Sequence, residues 1–303
     1  MFDIIIVGAG PAGLTAAIYA KRASKKVLVI EAKNYGGQII NASSIENYPV
    51  EKSISGVDFA EKLYNQVKDL GVEVLFEKVI DLNINDSYKE VITNKNKYKT
   101  KAIILATGSD NRKLGLENED ELLGKGVSYC ATCDGNFYKG KQVAVVGGGN
   151  TALEDALYLS DISSKVYLIH RGTSFRADSI NVKKIEEKNN IEIILNSEIT
   201  KLIGSNKLNS LVVTNTEGNE RIIEVDGLFI AVGRIPENQN FAKYIKLDEL
   251  GYAIAGEDCK TNTDGIYVSG DNRKKELRQL VTATSDGAVA AFQAIKYINN
   301  SNN

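Results

Sequence analysis

Asp3-Ile4-Ile5-Ile6-Val7-Gly8-Ala9-Gly10-Pro11-Ala12-Gly13-Leu14 lies at the start of the chain, and its reading decides the fold. A short β-branched run ending at glycine reads as a buried parallel strand over 3–8. The spacing Gly8, Gly10, Gly13 then opens a helix over 14–22. A second strand over 26–30 ends at Glu31, about twenty residues after the loop. In this βαβ pattern the first glycine makes the tight turn. The second lets backbone N–H groups approach a pyrophosphate, with Pro11 and Ala12 completing the loop, and the third lets the helix pack close to the strand. An acid at the end of the second strand accepts ribose hydroxyls.

The same grammar returns further on. A strand over 143–146 runs into Gly147-Gly148-Gly149-Asn150-Thr151-Ala152, followed by a helix over 153–160 and a strand over 165–169. Ala152 stands where the third glycine would be and still allows close packing. This strand ends in a basic run, His170-Arg171-Gly172-Thr173-Ser174-Phe175-Arg176. Cations at that place suit a phosphorylated ribose, whereas an acid suits free ribose hydroxyls, so the two loops point to two different dinucleotides. The competing reading of Arg171 and Arg176 is ordinary solvated surface charge.

Two more segments complete the first site. Ala102–Gly108 reads as a strand ending in the turn Ala106-Thr107-Gly108. Ile266–Asp271 reads as a strand whose terminal Gly270-Asp271 can reach a ribityl or phosphate group. An amphipathic helix over 284–298 follows. The expected class is therefore α/β, with two Rossmann-like dinucleotide-binding domains, the second inserted in the first. The first domain is expected over 1–113 and 244–303, the inserted one over 114–243. The hinges are expected near 112–118 and 242–246, with Gly124–Gly126 and Gly233–Pro236 helping to set them.

Inside the inserted domain lies Cys130-Ala131-Thr132-Cys133-Asp134. Structural zinc wants four Cys or His ligands, usually as two close pairs, and the remaining candidates Cys259 and His170 lack pair spacing, so no metal site is expected. A Cys-x-x-Cys turn closes a small, reducible disulfide. The bland alternative is two buried thiols that happen to be near each other. Cys259, in a polar segment, reads as a structural thiol.

Composition narrows the class. The chain has 303 residues, 25% charged and 43% hydrophobic, with a net charge of −2 spread throughout, which excludes a nucleic-acid patch or a polybasic membrane anchor. No stretch is long and apolar enough to span a bilayer, and the apolar N-terminus lacks the basic region of a signal peptide. Three cysteines, one pair and one odd thiol, fit a reducing compartment, so a cytoplasmic protein is expected.

Taken together, these stretches resemble the low-molecular-weight, bacterial-type thioredoxin reductases, flavoproteins of the pyridine nucleotide-disulfide oxidoreductase class. The resemblance rests on Gly-Ala-Gly-Pro-Ala-Gly at 8–13, Gly-Gly-Gln at 36–38, Glu-Asn-Tyr-Pro at 46–49 and Ala-Thr-Gly at 106–108. It extends to Ser-Tyr-Cys-Ala-Thr-Cys-Asp-Gly at 128–135, Gly-Gly-Gly-Asn-Thr-Ala at 147–152 and Gly-Asp-Asn-Arg-Lys-Lys-Glu-Leu-Arg-Gln at 270–279. It covers essentially the whole chain, in the family's order.

The resemblance implies FAD in the first site, with Gly36, Gly37, Gln38, Asn47, Arg278 and Gln279 among its contacts. It implies NADPH in the inserted domain, held by Gly147, Gly149, Asn150, Thr151, Ala152, His170, Arg171 and Arg176. Cys130 and Cys133 would be the redox disulfide and Asp134 its acid. The partner would be thioredoxin or a thioredoxin-like protein, and the chain a homodimer. One departure stands out: the family places two consecutive arginines after the histidine, and here the second is Gly172. NADPH is still expected to be preferred, by a reduced margin, with NADH use open.

The implied chemistry passes electrons from NADPH through FAD to the Cys130–Cys133 disulfide, with Cys133 the sulfur facing the flavin and Cys130 attacking the partner's disulfide. His170 is the only histidine and belongs to the nucleotide end, so Asp134 is the natural proton carrier. A dithiol that must meet both the flavin and an external protein requires the inserted domain to rotate between half-reactions. The rivals are a ferredoxin-fed flavin thioredoxin reductase, a flavin dithiol oxidase, and a non-catalytic redox-sensing disulfide switch.

Overall fold

A computed structural model describes residues 1–42, 44–85 and 87–300. The chain folds into two compact units, Met1–Asp110 with Ile235–Asn303, and Asn111–Arg234.

The first unit is built on a seven-stranded sheet. Its order runs Glu73–Phe76, Val27–Glu31, Phe2–Val7, Lys97–Leu105, Lys89–Thr93, Val79–Ile84, and Ile266–Val268 also pairs with Lys97–Leu105. The strands from 73–76 through 97–105, and 266–268, are mutually parallel, while 89–93 and 79–84 continue antiparallel. Ile4, Ile5 and Ile6 are all fully buried, because helices and loops cover both faces. Ile4 and Ile6 pack with the helices Pro11–Arg22 and Leu280–Asn300, whereas Ile5 and Val7 pack with Phe241, Ile245 and Ala253. The two helices cross where Gly287 lies on the backbone of Ala12, so close that a Cβ at 287 would overlap the Ala12 carbonyl.

The second unit carries a parallel sheet ordered Ile191–Ile194, Lys165–Ile169, Gln142–Val146, Gly227–Ile230, Val127–Ser128. An antiparallel sheet of Ser197–Ile203, Ser210–Asn215 and Glu220–Glu224 accompanies it. Helix Asn150–Ser160 packs through Leu153, Ala156 and Leu159 onto Val143, Val145 and Leu168.

The boundaries differ from those expected. Residues 235–243 belong to the first unit, because Phe241 and Ile245 complete the core on the Ile5 and Val7 face. Residues 111–113 belong to the second, where the Arg112 N–H donates to the Gly233 carbonyl at 3.0 Å. The chain crosses in the paired strands Ser109–Asn111 and Arg234–Pro236 rather than near 112–118 and 242–246. Gly124 and Gly126 lie within the second unit rather than at its border, and Gly126 is packed against Leu208.

Candidate active site

In the first unit the expected binding residues converge on the C-terminal ends of the parallel strands. Gly8 has φ +109° and faces the Ala106 carbonyl too closely for any Cβ. Gly13 likewise packs on the Gly8 carbonyl. A Cβ at Gly10, by contrast, would meet only the Gly37 Cα, at 3.9 Å, so a side-chain-free cradle lies between these two backbones. Gly10 is also the N-cap of helix Pro11–Arg22 and supplies no side-chain cap, so among the described residues the N–H groups of Ala12 and Gly13 are left for an anion.

Gly36 is tied to the same loop by its N–H on the Ala9 carbonyl, 2.8 Å. Glu31 accepts the N–H of Ala9 at 2.7 Å and of Lys33 at 2.8 Å, which fixes its carboxylate at the strand end. Gln38 donates to Asp110 at 2.6 Å.

Ala106, Thr107 and Gly108 follow strand 97–105, and Gly270 and Asp271 follow strand 266–268. Two buried asparagines that the sequence reading did not single out hold these turns together. Asn272 donates to the Leu105 carbonyl and to Thr107 Oγ1, both at 3.1 Å, and Asn238 donates to the Asn272 carbonyl at 2.7 Å. Asp286 was also missed. It accepts the Gly270 N–H at 3.0 Å, Arg273 through both oxygens at 2.7–2.8 Å, and Lys275 at 2.8 Å. Burial pushes the Asp286 carboxyl up, but Arg273 and Lys275 outweigh it and hold it below the usual carboxylate range. An acid on the small-residue face of Ala283–Ala291 was the one available signal.

Asn47 and Gln279 are brought together, Nδ2 to Oε1 at 3.0 Å. Arg278 lies over the Tyr252 ring, 4.1 Å from its centroid, and its buried Nε makes no hydrogen bond among the described residues. Cys259 is fully buried, its thiol pushed up to about 12 by burial and the nearby Asp286 charge, which fits a structural thiol.

The second loop repeats the arrangement with other chemistry. Gly147 leaves only 2.7 Å between a notional Cβ and that of Ala152. Gly149 caps helix Asn150–Ser160 without a side chain and faces open space, while Asn150 and Thr151 form the first helical turn. Asn150 is locked by exchanging hydrogen bonds with Asp178, 2.7 and 3.1 Å. The Arg176 N–H donates to the Gly148 carbonyl at 2.7 Å, so the basic run is stitched to the loop. Arg171 and Arg176 are exposed and make no ion pair among the described residues. His170 is placed behind the loop: the residue is 7% exposed, and its ring lies against Gly148 and stacks on Phe175 at 5.7 Å. Burial, with Arg176 and Arg171 adding to it against a backbone bond at Ser174, lowers its pKa and keeps it neutral. A Cβ at Gly172 would stand 2.7 Å from His170 Nε2.

Cys130 and Cys133 form a disulfide with Cα atoms 5.3 Å apart, Cys130 being the N-cap of the short helix Ala131–Asp134. Gly135 packs this turn onto Tyr158 and Leu159 of helix 150–160 and onto Ile162 just beyond it. Burial raises the Asp134 carboxyl pKa, and the Ser128 hydroxyl, 2.6 Å from Oδ2, opposes it.

A reducible disulfide beside a raised carboxyl, in the unit that carries the second nucleotide loop, narrows the family to one kind. Residues 2–287 match the pyridine nucleotide-disulphide oxidoreductase family. The chain belongs to this family, among its thioredoxin reductases. It is 41% identical to a thioredoxin reductase of Listeria innocua over 98% of this chain and 94% of that one. It is 40% identical to that of Mycoplasma genitalium over 97% of this chain and 94% of the other. The crystal structure of thioredoxin reductase from Streptococcus pyogenes superposes with a TM-score of 0.95 at 36% identity, covering 99% of both chains. Members of the family use FAD and a pyridine nucleotide, and among the described residues no helix is long and apolar enough to cross a membrane.

Proposed function

We propose that the chain is an NADPH-dependent thioredoxin-disulfide reductase whose electrons reach thioredoxin through FAD and the Cys130–Cys133 pair. The observation that carries this reading is the Cys130–Cys133 disulfide next to the buried carboxyl of Asp134. The residues fit both nucleotides. The Gly10–Gly37 cradle and the uncapped helix start at Pro11 suit the pyrophosphate of FAD, with Glu31 at its ribose. The uncapped start at Asn150, with Arg171 and Arg176 exposed beside it, suits NADPH.

Bound FAD supplies a carrier that takes hydride from the nicotinamide and passes two electrons to a disulfide. As the S–S bond breaks, Cys133 faces the incoming electrons and Cys130 leaves as a thiolate, taking the proton held by Asp134. Asp134, now a carboxylate, takes the proton back, the Cys130 thiolate attacks a disulfide sulfur of thioredoxin and the other thioredoxin sulfur leaves. Cys133 then attacks Cys130 Sγ, the bound thioredoxin sulfur leaves in turn, and the 130–133 disulfide is re-formed. Because the dithiol meets the flavin and thioredoxin in turn, the inserted unit rotates between half-reactions, about the paired crossings at 109–111 and 234–236. The intact second loop favours a nicotinamide donor over ferredoxin. Gly172 withholds one arginine contact, worth ~1–3 kcal/mol, so the preference for NADPH over NADH is modest. The protein acts as a homodimer in the reducing cytoplasm.

Anaerobic NADPH should bleach the flavin of the purified protein, and oxidised thioredoxin should restore it. Cys130→Ser and Cys133→Ser should each abolish the second step while FAD stays bound. Bleaching by neither nucleotide would contradict the nicotinamide assignment, and sedimentation analysis checks the dimer.

A further inference from the structure

The sequence reading gave Ser128 no role, yet its hydroxyl joins both ends of the dithiol turn. Ser128 ends the strand Val127–Ser128, paired in parallel with Phe229 of strand 227–230, and is 2% exposed. Its Oγ accepts the Cys130 N–H at 3.0 Å. The single hydroxyl hydrogen has two acceptors in reach, Asp134 Oδ2 at 2.6 Å and the Cys130 carbonyl at 3.4 Å, and the shorter contact takes it. Asp134 Oδ2 is therefore committed as an acceptor. Asp134 Oδ1 is buried and makes no hydrogen bond among the described residues.

We propose that Ser128 is a positioning residue that fixes Asp134 Oδ2 as the acceptor, so that Oδ1 is the oxygen which holds and delivers the proton. The inference rests on Asp134 being the acid of disulfide reduction. When the S–S bond takes up two electrons from the reduced flavin, the leaving thiolate takes the Oδ1 proton and Asp134 becomes a carboxylate. At that moment the Ser128 hydroxyl, already aimed at Oδ2, stabilises the new charge without moving, because a hydrogen bond to an ionised acceptor is the stronger kind. Its anchorage in the sheet keeps the hydroxyl in place while the short helix carries the chemistry.

Three variants in the holoprotein test this, each read in two ways. One is the pH profile of thioredoxin reduction. The other is the pH dependence of iodoacetamide labelling at Cys130 after reduction with dithiothreitol, which does not depend on turnover. Ser128→Ala should lower the maximal turnover about tenfold. It should also move the basic limb of the turnover profile, and the Asp134-dependent step in the labelling profile, to higher pH, since the donor that favours the carboxylate is gone. Ser128→Thr, which keeps Oγ, should return both profiles to the wild-type position. Asp134→Asn should remove the limb altogether.

Should Asp134→Asn leave the limb in place, the reading of Asp134 as the acid fails. With the limb lost in Asp134→Asn but unmoved in Ser128→Ala, Asp134 keeps its role and the Ser128 proposal is overturned. A shift shared equally by Ser128→Ala and Ser128→Thr marks a packing effect and overturns it as well.

Discussion

The loops at 8–13 and 147–152 share one backbone design but are finished by opposite chemistry. In the first, the strand-end residue is Glu31, whose carboxylate binds the loop from its polar side through the Ala9 and Lys33 N–H groups. In the second it is His170, a neutral ring that supports the loop by packing beneath Gly148 and against Phe175. The glycine rule also differs. Gly13 abuts a carbonyl and admits no side chain, whereas Ala152 replaces the third glycine and fits. The backbone turn makes a dinucleotide site, and the residue at the neighbouring strand end decides how that site is shaped and charged. Carboxylate support suits an unphosphorylated ribose, and apolar support frees Arg171 and Arg176 for a phosphate.

Exchanging the third position should break the comparison most sharply. Gly13→Ala should abolish FAD retention, because the added carbon overlaps the Gly8 carbonyl and neither backbone can yield. The mirror change, Ala152→Gly, should keep FAD and lose only ~1 kcal/mol of unfolding stability from helix 150–160. Flavin content and thermal melts read both. Next in size is Glu31→Ala, which removes the acceptor of two backbone N–H groups and should weaken FAD binding about tenfold or more. NADPH affinity should not change, and FAD titration of the stripped protein beside nucleotide binding checks this.

A smaller effect should follow at Gly172. Gly172→Arg restores a cation, yet its Cβ meets His170 Nε2 at 2.7 Å, and that ring is confined by Gly148 and Phe175. The KM for NADPH should fall only a few-fold, and the melting temperature should drop with it. His170→Ala combined with Gly172→Arg should recover more of the NADPH preference than the two single changes add up to, a coupling that a double-mutant cycle measures. Lost preference in the double variant would show that the ring does not stand in the way.

The smallest effect concerns pH. His170 has its folded pKa lowered from 6.5, chiefly by burial. Below 6.5 the unfolded chain binds a proton that the folded state refuses, so stability falls as pH drops through that window and is restored as pH rises. Because the chain has one histidine, its ring resonance is unambiguous by NMR and should titrate below 6.5. Titration above that value would show that the ring is hydrated and does not support the loop.

Much of the parallel framework was legible in the sequence because burial on both faces writes itself as unbroken apolar runs, as at Ile4–Ile6 and Val143–Val146. Helix 11–22 begins at Pro11 rather than Leu14, since proline at the first helical position needs no N–H partner. The antiparallel strands 79–84, 89–93 and 220–224 went unread: 79–84 and 220–224 leave several residues exposed, and all three mix Asp, Lys or Glu among their apolar residues. The boundary at 234/235 was hidden because it depends on which core Phe241 joins. At the site, the glycines, Glu31 and the dithiol carry their chemistry in their spacing. Ser128, Asn238, Asn272 and Asp286 do not, because each acts through groups distant in sequence or across a turn.

The central claim is that nucleotide electrons bound at the second loop reach the 130–133 disulfide through the flavin held at the first. The most direct measurement is anaerobic treatment of the FAD-bound protein with NADPH, iodoacetamide trapping and peptide mapping. The account predicts new labelling at Cys130 and Cys133, none at the buried Cys259, and no such labelling at Cys130 in the Cys133→Ser protein beyond what is present before NADPH. A flavin that bleaches while the 130–133 disulfide remains closed would contradict it.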